Sequence, residues 1–321
     1  MSRNLVVAIA ALKETHRETI AAAAKQHGFT VRFFNSDQEA LPALADAEIV
    51  FGQSAFLAQH APRLRWLCTP SAGVDQFLAP GLFASPDAVL TNSSGAYGTT
   101  IAEHIVMVTL EMMRRQADYN GIVDRRAWKR DLPIRSIRNS RITLLGTGDI
   151  GQEAAIRLRA FSPASLTGVN RSGRNPRDLF DRIVTQDFLD AVLPETDLLI
   201  LSLPGTPETA GLMDARRLAL LPRDAFLVNV GRGSAIDQAA LEQLLHQGQL
   251  AGAALDVFEQ EPLDPAASLW ECPRLLITPH VAGNMTLDYT VNKIVAQFLE
   301  DLDRYCAGQP LQRRISWQRG Y

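Results

Sequence analysis

ITLLGTGDIGQEAAIRLRAFSPASLTGVNRSGR, residues 142–174, decides how the rest of the chain is read. It opens on a short apolar run, Ile142 to Leu145, that reads as a strand. Gly146, Gly148 and Gly151 follow at G-x-G-x-x-G spacing. Beyond them Ile150, Ala154, Leu158 and Phe161 recur at i, i+4, i+8 and i+11, one face of a helix. A second apolar run, Leu166 to Val169, closes a βαβ unit. Three glycines alone are a weak signal, but between a strand and a helix they specify a dinucleotide-binding turn. The first permits the tight turn, the second admits a pyrophosphate to the backbone, and the third lets helix pack on strand. The helix N-terminus then offers N–H groups and partial positive charge to the phosphates. Gly146, Gly148 and Gly151, with Asp149 and Ile150 among them, are the first cofactor-binding candidates.

The end of the same stretch bears on which dinucleotide binds. NAD-preferring units carry Asp or Glu about 20 residues into the motif, on the ribose 2′-hydroxyl. Here that position is Asn170, followed by Arg171, Ser172 and Arg174. An acid that would repel a 2′-phosphate is missing, and two guanidinium groups and a hydroxyl that can bind one are present. The expectation is NADP(H) in preference to NAD(H).

Outward from this unit, 321 residues suffice for two domains of ordinary size. A hydrophobic content of 46% with 21% charged residues is that of a soluble globular chain. A formal charge of −3 supplies no basic face for nucleic acid and no polybasic membrane signal. The N-terminal apolar run is short and lacks a small-residue cleavage site, so it reads as a first strand, not a signal peptide. No stretch reaches the roughly 18 apolar residues of a membrane span. Cys68, Cys272 and Cys306 are odd in number and form no C-x-x-C, which argues against a disulfide framework or a zinc site. The expectation is a cytoplasmic protein without a metal.

Residues 1–95 alternate short apolar runs with helical stretches: Leu5–Ile9, Thr30–Phe34, Glu48–Phe51, Leu64–Cys68 and Ala88–Thr91 read as strands. A helix over 13–27 ends at Gly28, a good residue just past a helix C-terminus. Residues 99–115 are apolar nearly all round, which predicts a helix buried on more than one side, between domains or against a second subunit. Residues 120–140 are polar and irregular around a lone Trp128, an arm or a surface loop. After the glycine turn, strands are expected at Asp197–Leu201, Ala225–Val230, Ala251–Leu255 and Leu275–Thr278, with helices over 214–221, after Asp237, and over 284–306. The alternation implies two doubly wound parallel α/β domains. The first comprises 1–98 and 286–321 and the second, over 99–285, is inserted within it.

A nicotinamide-dependent reaction on a 2-hydroxy acid needs a cation for the carboxylate, a proton shuttle for the C2 oxygen, and a group to tune that shuttle. Histidine is the natural shuttle, a neighbouring carboxylate favours its charged form, and arginine offers a planar fork to a carboxylate. Arg232, Glu261 and His280 each follow a strand of the second domain. Ligands of open α/β sheets bind outside the carboxyl ends of strands.

NVGRGSAID (229–237), ALDVFEQEPL (254–263) and TPHVAG (278–283) closely resemble signatures of the D-isomer-specific 2-hydroxyacid dehydrogenase family. So do SAGVDQF (71–77), TNSSGAYGTTIAEHIV (91–106) and the GQP…GY tail at 308–321, so the resemblance spans essentially the whole chain. It is strongest to the NADP-preferring glyoxylate/hydroxypyruvate reductase-like branch. It implies a flavodoxin-like substrate domain and an inserted Rossmann domain, with Arg232, Glu261 and His280 as the catalytic set. Hydride would pass from the nicotinamide C4 to C2 of a 2-oxo acid. His280, paired with Glu261, would give the proton, and Arg232 would hold the carboxylate. The backbone N–H groups of Ala72 and Gly73, and more weakly Gly52, are the implied substrate contacts, while Tyr97 and Met285 are expected near the pocket. Further cofactor contacts implied are Pro204, Thr209, Val230, Gly231, Asp256 (on the nicotinamide carboxamide) and Gly283, with Ser202 standing where the family commonly has histidine. Glu103 and His104 read as structural. A homodimer is expected. The formate enzymes that resemble this family carry Gln in place of Glu261. The alternative reading is a non-catalytic, dinucleotide-sensing protein of the same fold.

Overall fold

The computed structural model describes residues 3–320. In chain order the main elements are β1 (Arg3–Ala8), α1 (Glu14–Gln26), β2 (Phe29–Phe34), α2 (Asp37–Leu44), β3 (Ile49–Gly52), α3 (Ala55–Gln59), β4 (Trp66–Cys68) and β5 (Val89–Thr91). Then come α4 (Gly98–Met113), α5 (Gln116–Asp124), β6 (Arg141–Leu145), α6 (Asp149–Arg159), β7 (Ser165–Val169), β8 (Arg182–Val184), α7 (Leu189–Val192) and β9 (Leu198–Leu201). The remainder are α8 (Ala215–Leu218), β10 (Phe226–Asn229), α9 (Gln238–His246), β11 (Gly252–Leu255), β12 (Leu275–Ile277) and α10 (Asp288–Cys306). They form two compact units, one of residues up to Tyr97 and from Asn284, the other Gly98–Gly283. Among the described residues no helix is long and apolar enough to cross a membrane.

The first unit is a five-stranded sheet in the order β2-β1-β3-β4-β5, every pairing parallel. This is the flavodoxin-like order. Its central strands are continuous apolar runs because both faces are covered: Leu5, Val6, Ile49, Val50, Trp66 and Leu67 are all buried. One face receives α10, whose Phe298 stacks on Phe51 at 4.2 Å and on Trp66 at 5.3 Å. The other packs Val6, Val50 and Leu67 against Ala40, Leu44 and Leu57. α10 begins at Asp288, four residues later than the periodicity suggests, because Asn284 folds back: its side-chain oxygen accepts the Thr286 N–H at 3.0 Å.

The second unit is a seven-stranded sheet, β12-β11-β10-β9-β6-β7-β8, also parallel throughout. Counted from β6, it is the Rossmann order with one further strand, and the order reverses between β6 and β9, beside the glycine turn. The expected strands appear within two residues of their expected ends, so the doubly wound α/β reading holds.

Several expectations change in detail. β8 is an addition to the expected strands; it is three residues long, with Arg182 exposed, and gives no apolar run. α6 ends at Arg159, so Phe161 lies past it, and the buried face is Gly151, Ala154, Ala155 and Leu158 with Ile150 only half-buried. α5 runs through Gly121 to Asp124, anchored by buried Ile122, so the irregular segment begins at 125. α4 is buried within its unit along Ile101, Ala102, Ile105, Val108 and Thr109, while Met107 on the opposite side is 46% exposed. The helix packs on α5, α6, β10 and β11.

Candidate active site

The glycine turn fits a dinucleotide on its own geometry. Gly146 has φ +98°, and a Cβ there would lie 2.8 Å from the Ser202 carbonyl oxygen, so only glycine makes this turn. A Cβ on Gly151 would lie 2.1 Å from the Gly146 carbonyl oxygen, which explains how closely α6 can start against β6. Gly148, the residue before α6, has nothing within 4 Å of its Cβ position, so its outer side is open to a ligand. The Ser202 hydroxyl donates to the Gly146 carbonyl at 3.2 Å and so braces the turn. Asp149 starts α6 with its carboxylate turned toward Gly98, where a Cβ would meet it at 2.3 Å. Its main chain belongs to the N-terminus of α6, whose N–H groups suit an anion.

Asn170 organises the loop after β7. Its amide group donates to the Thr147 hydroxyl at 2.7 Å and to the Arg174 carbonyl at 2.9 Å. Its oxygen accepts from the Ser172 hydroxyl at 3.3 Å and the Gly173 N–H at 2.8 Å. Arg171, Ser172 and Arg174 are thereby presented at the surface on a braced loop. Opposite this strand end, Thr209 spends its hydroxyl within its own turn, on the Pro204 carbonyl at 2.7 Å. Thr209 shapes the Pro204 loop, and Pro204 itself is exposed.

Arg232, Glu261 and His280 all follow the carboxyl ends of neighbouring strands, β10, β11 and β12. Arg232 follows β10 after Val230 and Gly231, both buried. Asn229 fixes this corner, accepting the Gly231 N–H at 3.1 Å and donating to the Arg232 carbonyl at 2.9 Å. A Cβ on Gly233 would lie 1.9 Å from the Phe258 carbonyl carbon, so the Arg232 turn lies directly on the segment leading to Glu261. Glu261 accepts the Phe258 N–H with one carboxylate oxygen at 3.0 Å. With the other it meets His280 Nδ1 at 2.6 Å. His280 is accessible, its side chain 51% exposed. Its backbone is in the left-handed region, φ 53°, a conformation costing roughly 1–2 kcal/mol for an L-residue. The loop is held there by Asp256. The Asp256 carbonyl accepts the His280 N–H at 2.9 Å. Its carboxylate accepts the Thr278 hydroxyl at 2.6 Å and the N–H groups of Val281 and Ala282 at 2.9 and 3.0 Å. Asp256, only 2% exposed, is therefore first of all the anchor of residues 278–282. Gly283 ends this unit.

The expected substrate contacts lie in the first unit. Ala72 and Gly73 sit in a turn whose carbonyls are taken one by one. Ser93 Oγ donates to Thr69 O, Tyr97 to Pro70 O, the Ser93 N–H to Ser71 O and Asn92 to Ala72 O, at 2.7–3.0 Å. In a trans peptide the N–H points opposite to the preceding carbonyl, so the Ala72 and Gly73 N–H groups face away from this segment. Asn92 and Ser93 are not among the site residues the sequence suggests; only the fold brings them under the turn. Tyr97 is buried and its hydroxyl is engaged, so it supports the turn from beneath. Gly52 closes β3 with its Cα against Leu57. Met285 is half-buried.

A model of the D-isomer specific 2-hydroxyacid dehydrogenase NAD binding domain matches residues 106–282. The chain belongs to this family. It is 33% identical over 252 residues to glyoxylate/hydroxypyruvate reductase B of Pectobacterium carotovorum, covering 75% of this chain and 78% of that protein. A D-isomer specific 2-hydroxyacid dehydrogenase family protein from Aeromonas salmonicida superimposes with a TM-score of 0.88 at 31% identity, covering 99% of this chain and all of that one. An NADPH-dependent glyoxylate/hydroxypyruvate reductase from Sinorhizobium meliloti, solved with NADP and sulfate, gives a TM-score of 0.83 at 28% identity, with 99% and 100% covered. As a member of this dehydrogenase family, the chain is an oxidoreductase that works between a nicotinamide dinucleotide and a 2-oxo acid/2-hydroxy acid pair.

Proposed function

We propose that this dehydrogenase reduces small 2-oxo acids, glyoxylate or hydroxypyruvate among them, with NADPH in preference to NADH. The observation that carries the chemistry is the 2.6 Å pairing of His280 Nδ1 with Glu261. It fixes the ring orientation and leaves Nε2 as the nitrogen that serves the substrate. When bound, the reduced nicotinamide supplies the hydride. His280 delivers a proton from Nε2 to the forming C2 alkoxide, and Glu261 stabilises the charged ring before transfer. Arg232 holds the substrate carboxylate in its planar fork and stabilises charge developing on the C2 oxygen. The Ala72 and Gly73 N–H groups are the substrate contacts proposed for the first unit. In the oxidative direction neutral His280 accepts the proton. Gly146, Gly148, Asp149, Ile150 and Gly151 hold the pyrophosphate, and Val230, Gly231 and Asp256 border the nicotinamide end.

The NADP(H) preference rests on the loop braced by Asn170, which offers Arg171, Ser172 and Arg174 and no acid. The Sinorhizobium relative solved with NADP supports the same assignment. A steady-state screen of 2-oxo acids against both reduced cofactors tests the whole reading. Turnover of glyoxylate or hydroxypyruvate is expected, with kcat/KM for NADPH at least about tenfold above NADH. Replacing both Arg171 and Arg174 by serine should remove about 2–3 kcal/mol of charge-assisted contact and cancel that ratio. Equal use of the two cofactors by the parent enzyme would refute the preference. Bound cofactor without turnover on any 2-oxo acid would mark a sensing protein instead.

We also propose a homodimer in the cytoplasm, built on the α4–α5 segment of the second unit and the residues that follow it. Met107, Val123, Trp128 and Ile134 are 46%, 68%, 94% and 48% exposed in the single chain, apolar side chains that a second copy would cover. Equilibrium sedimentation should return twice the 35.2 kDa chain mass. A monomer at micromolar concentration would overturn the assignment.

A further inference from the structure

His104 lies mid-way along α4, its side chain only 10% exposed, and takes no part in the chemistry described above. Its Nε2 is 3.3 Å from the Thr278 hydroxyl and 4.0 Å from the Asp256 carboxylate. The direction of each bond is set by the number of protons available. Both Asp256 oxygens already accept backbone N–H groups, from Val281 and Ala282. The short 2.6 Å contact with Thr278 therefore uses the threonine's own hydroxyl proton. A hydroxyl that has given its only proton to Asp256 can only accept from the other side, so His104 must carry its proton on Nε2. Burial pushes the His104 pKa down, against the pull of the Asp256 and Glu111 carboxylates. A neutral ring with its proton on Nε2 meets this demand. The result is a relay in one direction, from His104 to Thr278 to Asp256.

Asp256 in turn anchors the backbone of 280–282 and so the left-handed turn that sets His280 against Glu261. We propose that His104 is a positioning residue of the reaction, locking the Thr278 hydroxyl onto Asp256 and thereby fixing the aim of His280. The inference rests on the reading of His280 as proton donor. Asp256 holds Thr278 before Pro279–His280 and Val281 and Ala282 after it, so the relay through Thr278 steadies the strand side of a tight loop whose far side Asp256 also holds. Arg232 and the Ala72–Gly73 turn are outside the relay, so substrate grip is untouched.

The test compares His104→Leu, His104→Gln, Thr278→Val and the Leu/Val double variant in full-length enzyme, with NADPH and glyoxylate. Supporting groups around a working histidine typically contribute tenfold or more. His104→Leu and Thr278→Val should each lower kcat about tenfold, with the KM for glyoxylate changed less than about twofold. His104→Gln, whose side-chain N–H can reach the same hydroxyl, should recover at least about half of the parent kcat. The double variant should be no slower than the worse single one, because both break one chain of hydrogen bonds. Tm values within about 2 °C of the parent exclude a folding defect; if His104→Leu does not fold, the Thr278→Val and His104→Gln pair decides. A parent-like kcat in His104→Leu, a glutamine variant as slow as leucine at equal Tm, or losses that multiply in the double variant would each overturn the proposal. Failure of the His280 reading is separately visible, as undiminished turnover of His280→Ala.

Discussion

His280→Ala is expected to lower kcat for 2-oxo acid reduction by about 10²–10⁴-fold, the contribution of a positioned general acid, with dinucleotide affinity nearly unchanged. The separation of effects comes from the geometry. His280 contacts Glu261 through Nδ1 and is exposed on its far side. The phosphate-facing turn is built from Gly146 to Gly151 at another strand end. On the proposed mechanism, removing the imidazole removes the proton source and leaves the glycine turn standing. Backbone relief should accompany the loss only weakly, since alanine meets the same φ of 53°. His280→Asn is the cleaner probe, because asparagine tolerates the left-handed region better than alanine does. Stopped-flow single-turnover rates alongside a fluorescence titration of NADPH measure both quantities. Unchanged turnover would remove His280 from the mechanism.

Arg232→Ala is expected to be nearly as damaging, but with a different kinetic signature. On the proposed mechanism it removes a bidentate partner of the carboxylate and a positive group beside the C2 oxygen. Losing one such preorganised donor costs about 10²–10³-fold in rate. The carboxylate contact is present in ground and transition states alike, so KM should rise while kcat also falls. Arg232→Lys should restore charge but not the planar fork, recovering only part of kcat/KM. The corner itself should survive, because Asn229 fixes the backbone on both sides of it. A variant that binds and turns over 2-oxo acids like the parent would place the carboxylate elsewhere.

The strand ends are legible in the sequence because a strand buried on both faces must be a continuous apolar run, and the residues just past such a run stand at the sheet's edge. That is why Arg232, Glu261 and His280 can be picked out without knowing their distances. β8 is invisible there because three residues with an exposed arginine at the start give no run to see. Asn170 stands out in the sequence for the charge it lacks; its work as the loop's brace depends on four hydrogen bonds that no spacing announces. The same limit hides the supports of both loops. Asn92 reaches back 20 residues to hold Ala72, and His104 reaches Thr278 across 174 residues. Sequence periodicity reports which way a helix faces, whereas these contacts depend on which loop the fold lays beneath it.

The return of α10 to the first sheet has a consequence for synthesis on the ribosome. The inserted unit is complete once Gly283 has been made. The first unit at that moment still lacks the helix whose Phe298 covers Phe51 and Trp66. At about 5–20 residues per second, the nascent chain waits some seconds for that helix to be made and released. During that interval an aromatic sheet face lacks its cover although every residue of the inserted unit has been made. The segment that precedes the inserted unit therefore cannot close its fold until the segment after that unit has been made.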